Sequence, residues 1–294
     1  MDEQAVLAEQ FEAHRARLRA VAYRMLGSLS EADDAVQEAW LRLSRSDMSA
    51  IENLSGWLTV VVARVCLDML RSRKARREES LDTQVPHRVV NQQDKINPEQ
   101  ELLLADSVGI ALLVVLNTLT PPERLAFVLH DLFAIPFEEI ASILGRSTIA
   151  TRQLASRARR RVRGVPTVPH RELARQHDVV GAFLAASRSG DFEALLTVLD
   201  SEVVVRVDRT AALQDTPREV RGPRAVAEQA LIFSRRARFA QLALVNGTVG
   251  IVVAPRGHLF AIMIFAVSGN KIFEIDILSD PQYLGQVKLA VLDH

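Results

Sequence analysis

The sequence predicts a multidomain chain: two all-α domains, the second containing a helix-turn-helix, followed by an α+β domain. Three observations carry that expectation. Residues 1–78 and 100–164 repeat apolar side chains at spacings of three and four, the period of a helix with one buried face. Two polar, proline-bearing stretches, SLDTQVPHRVVNQQDKINPEQ from Ser80 and GVPTVPHREL from Gly164, interrupt that period. Beyond the second, short Val- and Ile-rich runs are punctuated by Asn246-Gly247, Arg256-Gly257 and Gly269-Asn270, which reads as a meander of antiparallel strands. With 294 residues and 48% apolar content the chain can build two or three cores. The boundaries expected are 1–78, a linker over 79–99, 100–164, a linker over 165–172, and 173–294.

In the first block, GSLSEADDAVQEAWLRLSR predicts a helix capped by Ser30 with Asp33 three residues on, and a stripe of Val36, Trp40 and Leu43. LSGWLTVVVARVCLDMLRSRKARR predicts a second helix, capped at Ser55. Val60 to Val62 are β-branched, but the pattern continues through Leu67 and Leu70 and favours helix. Its first half is apolar and its second half basic. The single cysteine, Cys66, falls within the apolar pattern, which points to packing and excludes internal disulfides and Cys-rich zinc sites.

In the second block, helices resume at Glu99, and Pro121-Pro122 opens one of them, where a missing N–H costs nothing. PFEEIASILGRSTIATRQLASRARRR has the spacing of a helix-turn-helix. Ala141 is small where two helices approach, and Gly145 supplies the turn four residues later. Ile140 and Leu144 face inward. Ser147 caps a second helix with Leu154, Ala158 and Val162 on one stripe. Arginines 152, 157, 159, 160, 161 and 163 lie off it. In such a unit the first turns of the second helix enter the major groove. Ser147, Thr148, Arg152, Gln153 and Ser156 are therefore candidates to read bases, while Arg157 to Arg163, Arg160 among them, would lie along phosphates.

The third block reads as three helices, RELARQHDVVGAFLAASRSG, DFEALLTVLD and PRAVAEQALIFSRR. Its strands are VVVRVD, AQLALVNGTVGIVVA, LFAIMIFAVSG and KIFEIDIL.

Net charge is zero, which excludes a globally basic nucleic-acid binder, yet charge is segregated. Residues 64–77 hold six basic side chains against one acid, and Glu31 to Glu38 is acidic. On the first basic helix Arg64, Asp68, Arg71, Lys74 and Arg77 recur along one face. Two basic helices joined by a linker suit a protein that grips two DNA elements at a distance. The N-terminus lacks a signal-peptide pattern, and the longest apolar runs fall short of the roughly 20 residues that span a bilayer, so a cytoplasmic protein is expected.

At this point the chain resembles the extracytoplasmic-function branch of the sigma-70 family. The resemblance rests on SEADDAVQEAWLRL, GWLTVVVARVCLDMLRSRKARREE and LTPPERLAFVLHDLFAIPFEEIASILGRSTIATRQLASRARRRVRG, in family order across residues 8–164. It implies an alternative sigma factor that binds core RNA polymerase and directs promoter-specific initiation, with no cofactor and no metal. Asp34, Gln37, Glu38 and Trp40 would contact the polymerase. Arg64, Asp68, Arg71, Lys74 and Arg77 would read the minus-ten element, and the second basic helix the minus-thirty-five element. The loop Asp47 to Leu54 would hold the pocket for an unpaired base, although it has no aromatic residue for stacking.

The tail is similar to the SnoaL-like (NTF2-like) domain fused to one sigma subgroup, on VVGAFLAASRSGDFEALLTVLD, VNGTVGIVV and IFEIDILSDPQYL. That implies a cone with a curved antiparallel sheet, acting as a built-in regulator in contact with the sigma domains. Asp208, Asp280, Pro281, Tyr283 and Leu284 match its motifs only in part. The interdomain linker departs from the usual Trp-Leu-Pro-Glu-Pro pattern. His177, Asp208, His258 and Asp276 are the acid–base candidates should this domain be catalytic, and a small-molecule ligand is the other reading of its pocket. A conventional helix-turn-helix regulator fused to a ligand-binding or cyclase/isomerase-like domain is the alternative for the whole chain.

Overall fold

The computed structural model describes residues 3–46, 51–81, 109–208, 218–232 and 234–292. These residues form two compact units, one from residues 3–81 with Leu116–Arg159, the other from residues 109–115 with Arg160 onward.

The first unit opens on α1 (Glu3–Leu26), α2 (Leu29–Leu43) and α3 (Leu54–Leu81), which pack mutually around Leu18, Tyr23, Met25, Leu29, Leu43, Leu58 and Leu67. Gly27, at φ +77°, ends α1. That leaves Ser28 extended, and its hydroxyl accepts from Glu31 N at 3.4 Å. The cap of α2 is therefore Ser28 and not Ser30: two Ser-x-x-acid patterns overlap, and the turn selects the first. Likewise α3 is capped by Asn53, whose Oδ1 accepts from Gly56 N at 3.0 Å, and not by Ser55. The β-branched run Val60 to Val62 is helical because Val61 and Val62 are buried among α1 and α2. Residues 79–81 of the expected 79–99 linker continue α3; the rest of that linker and the expected helix start at Glu99 lie outside the described residues.

Cys66 is fully buried, and burial pushes its thiol up to about 12. It is a packing residue, as its place in the apolar pattern predicts. Native protein should resist alkylation by iodoacetamide at pH 8 and react once unfolded in urea, because only the thiolate is nucleophilic.

Next come α4 (Ile110–Asn117) and α5 (Pro121–Phe127), which opens with Pro121 under a capping box between Thr120 and Glu123. A π-helical turn over Val128–Leu132 then leads to α6 (Phe137–Leu144) and α7 (Thr148–Arg163). Gly145, at φ +62°, makes the turn between the last two.

In the second unit α8 (His170–Ser189) and α9 (Phe192–Val198) precede β1 (Leu199–Val207) and β2 (Glu219–Arg221). Helices α10 (Pro223–Ile232) and α11 (Ser234–Ala237) lead to β3 (Ala240–Val245), β4 (Thr248–Val253), β5 (Ala261–Ser268) and β6 (Lys271–Leu278). A short α12 (Pro281–Leu284) and β7 (Leu289–Ala290) close the described chain. The seven strands run β2-β1-β6-β5-β4-β3-β7.

The meander β3 to β6 is antiparallel, as its turns predict, but β1 lies parallel to β6, so the sheet is mixed. No turn signal marks that pairing, since it joins strands far apart in sequence and needs a crossover. Strands β2 and β7, three and two residues long, carry no alternating pattern to detect. Phe183, Leu195, Val203, Val226, Ile251, Phe265 and Ile275 form the core between helices and sheet.

Candidate functional site

Helix α7 divides into two faces. Thr151, Leu154, Ala155, Ala158 and Val162 are buried. Ile149, Arg152, Gln153, Ser156, Arg157, Arg160 and Arg163 are exposed and, at steps of three and four, share one continuous stripe. Ser147 Oγ accepts from Ala150 N at 3.2 Å, so the predicted cap is present, with Thr148 half-buried in the first turn. Every base-reading candidate named from the sequence thus lies at this helix, Ser147 as its cap and the others in its first nine residues.

The arginines are not equivalent. Arg152 meets Glu138 at 3.4 Å and lies over the Phe137 ring, 5.6 Å from its centroid. Arg157 faces the buried carboxylate of Glu123 at 3.8 Å, and Arg159 binds Asp131 at 2.5 Å. No ion pair among the described residues involves Arg160 or Arg163, so their charge is the readiest for phosphate. Replacing Arg160 with Ala should weaken DNA binding alike on all sequences and reduce the slope of log K against log salt by about one. A changed base preference at constant salt slope would contradict that role.

Sequence reasoning missed Ile149. It is 70% exposed at the start of this stripe. The detectable signal was an isoleucine off the Leu154–Ala158–Val162 stripe.

On α3, Arg64, Asp68 and Arg71 are exposed on one face, and Arg71 pairs with Asp68 at 3.8 Å. Lys74 and Arg77 continue the same helix at the same spacing. Arg73, counted in the same basic run, turns away: it donates to Leu26 O at 3.2 Å and pairs with Glu31. The described part of the loop expected to capture a base, Ile51, Glu52 and Leu54, lines an open depression of about 450 Å³ with Gln10, Ala13 and His14 of α1. Residues 47–50 lie outside the described residues. His14 supplies a flat ring where the loop itself offers none.

On α2, Asp34 and Gln37 are exposed, and Glu38 pairs with Arg42 at 2.9 Å. Trp40 is half-buried against Phe11, with ring centroids 5.1 Å apart, so it also builds the core. Leu41, 39% exposed, extends the Asp34–Gln37–Glu38 face, and sequence reasoning missed it too.

In the second unit Asp208 and the DPQYL segment come together. Asp208 Oδ2 accepts from Ser279 N at 2.6 Å and Asp280 N at 2.8 Å, and Asp280 caps α12 through Gln282 N and Tyr283 N. Pro281 and Tyr283 are exposed and Leu284 is half-buried. Asp208→Ala should cost about 2 kcal/mol, read as a lower urea midpoint, because two backbone donors lose a charged acceptor.

Of the acid–base candidates, His177 lies on α8 with its Nδ1 3.6 Å from Oδ1 of its neighbour Asp178. His258 is exposed after a 3-10 turn, Asp208 is engaged as described, and Asp276 lies on the sheet face opposite Ile275 and Ile277. Burial, and then the neighbouring charge of Glu274, raise the Asp276 carboxyl above its ordinary value.

Two protein-family models match the chain: sigma-70 region 2 over residues 10–76 and sigma-70 region 4 over residues 110–162. Among curated proteins, the ECF RNA polymerase sigma factor SigJ of Mycobacterium tuberculosis is 41% identical over 251 residues, covering 83% of this chain and 80% of its own. A second protein of that organism, named "Probable ECF RNA polymerase sigma factor SigI", is 32% identical over 98% of both chains. The crystal structure of SigJ aligns with 95% of this chain and 98% of its own, at 34% identity and a TM-score of 0.45.

Proposed function

Since the chain belongs to the extracytoplasmic-function branch of the sigma-70 family and is an alternative sigma factor directing transcription initiation, we propose how its surfaces divide that work. The exposed stripe of α7 reads the minus-thirty-five element, with Ser147, Thr148, Arg152, Gln153 and Ser156 on base edges and Arg160 and Arg163 on phosphates. The Arg64–Asp68–Arg71 face of α3 engages the minus-ten element. An unpaired base enters the depression beside His14. The Asp34–Gln37–Glu38 face of α2, extended by Leu41, docks on the core polymerase.

The observation that carries this assignment is a pair of outward basic faces on two separate helices, each within a matched sigma-70 region. Transcription by core polymerase reconstituted with this chain tests it. Promoter-specific transcripts should appear and should be lost in Arg64→Ala/Arg71→Ala without loss of polymerase binding. Unchanged initiation by that variant would overturn the minus-ten assignment.

The C-terminal domain, in this proposal, sets the activity of the sigma domains in response to a small molecule. Support comes from inside the second unit, where Gln241 Oε1 of β3 accepts from Ala111 N at 2.8 Å and Val291 N donates to Val162 O at 2.8 Å. Both partners fall within residues 110–162, the region 4 match. Loss of one such bond is worth about 1 kcal/mol, so Gln241→Leu should shift transcript yield about fivefold if this contact sets activity. Removal of residues 165–294 should change the yield at least as much, and an unchanged yield in both would refute regulation by this domain.

A further inference from the structure

The second unit contains a cavity of about 140 Å³ between the helices and the sheet, lined by Phe183, Val205, Val226, Ile251, Met263 and Ile275 among others. We infer that it is a binding site for a small, uncharged, monocyclic or similarly compact apolar molecule bearing one hydrogen-bonding group. The inference rests on the regulatory reading above only for its consequence in transcription.

Interiors are normally filled, because a void forfeits the packing contacts of its walls. This one is kept open by a wall of Val, Ile, Ala, Phe and Met side chains. An apolar cavity of about 150 Å³ stays dry and takes up benzene, whereas drug-sized ligands need upward of about 300 Å³. The volume therefore sets the occupant near one ring.

The lining sets its charge. Among the described residues, the only polar side chains on the wall are Ser187 and Gln229. The Ser187 hydroxyl already donates to Phe183 O at 2.8 Å. The titratable groups of the same strands face the other way: Val205, Val207, Ile275 and Ile277 line the cavity, while Arg206, Glu274 and Asp276 alternate with them. An ionised ligand would be stripped of water with no counter-charge to meet it. Gln229 is the exception on an apolar stripe. It shares the inward face of α10 with Val226 and Ala230, at the i+3 and i+4 spacing where an apolar residue would complete the wall. Its amide can both donate to and accept from a hydroxyl or carbonyl. Phe260, 48% exposed, stands where the wall meets solvent.

The test titrates full-length protein with toluene, phenol and benzoate, followed by saturation-transfer NMR and calorimetry. Saturable binding of phenol and toluene is expected, phenol the tighter of the two, with benzoate at least tenfold weaker. Ala230→Trp should abolish binding of all three. Gln229→Leu should keep toluene but remove the advantage of phenol, and it decides the matter if the Trp variant fails to fold. Benzoate binding as tightly as phenol, no saturable binding of any probe, or undiminished binding by folded Ala230→Trp would each overturn the site. Transcription is then assayed with and without phenol, using protein lacking residues 165–294 as the control. Binding that leaves transcription unchanged upholds the site and overturns the regulatory reading instead.

Discussion

Replacing Arg124 with Ala should lower the unfolding free energy of the first unit by about 3 kcal/mol, the range typical of breaking a buried, fully bonded charge. Arg124 is only 3% exposed. Its Nε and Nη2 donate to Arg24 O at 3.1 and 2.9 Å, and its Nη1 donates to Asn117 Oδ1 at 2.6 Å. Burial, and next the positive charge of Arg73, pull its pKa down to about 9, so it is still charged at neutral pH. Truncation removes the donor of all three bonds, two to a carbonyl at the end of α1 and one to an amide oxygen at the end of α4. Lys in its place should recover little, since one ammonium cannot reproduce the planar fork. Urea unfolding provides the measurement: the midpoint should fall with the slope unchanged. A loss below about 1 kcal/mol would mean that the three bonds are replaced by water and that the site is not desolvated.

The second large effect concerns DNA. Arg160→Ala/Arg163→Ala should flatten the salt slope of holoenzyme binding to upstream promoter DNA by about 1.8, since each phosphate contact contributes about 0.9. At 0.1 M salt the same relation amounts to about a 60-fold loss of affinity. Sequence preference should not move. Arg152→Ala and Ile149→Ala should do the reverse, altering the preferred upstream bases with little change in slope. A double variant that retained the wild-type slope would place the phosphate contacts elsewhere, with Arg157 and Arg159 the next candidates once freed from Glu123 and Asp131.

Much of this was legible in the amino-acid order because local rules govern it. The helix-turn-helix was readable down to Gly145, the Ser147 cap and the buried stripe, since all three depend on neighbours within four residues. The same locality misled at Ser30, where two overlapping cap patterns compete and the chain's exit from the turn at Gly27 chooses, and at Ser55, where Asn53 takes the cap instead. Ile149 and Leu41 were missed because an apolar residue off the stripe is easily taken for noise until exposure is known. Asp208 was marked as a motif residue, but its task of holding Ser279 and Asp280 depends on strand pairing across about 70 residues.

By itself the sequence determined the order of helical and strand blocks, the segregation of charge onto α3 and α7 and the family resemblance. Periodicity, turn chemistry and charge spacing are properties of neighbouring residues. Only the tertiary structure decided that β1 runs parallel to β6, that Arg73 and Arg124 serve the interior while Arg160 and Arg163 face outward, and that the C-terminal domain encloses an apolar cavity with a single amide on an otherwise apolar helix face. Each of those depends on which distant segments share a surface, and burial of an arginine or retention of a void is settled by the desolvation and packing of residues that the chain order keeps far apart.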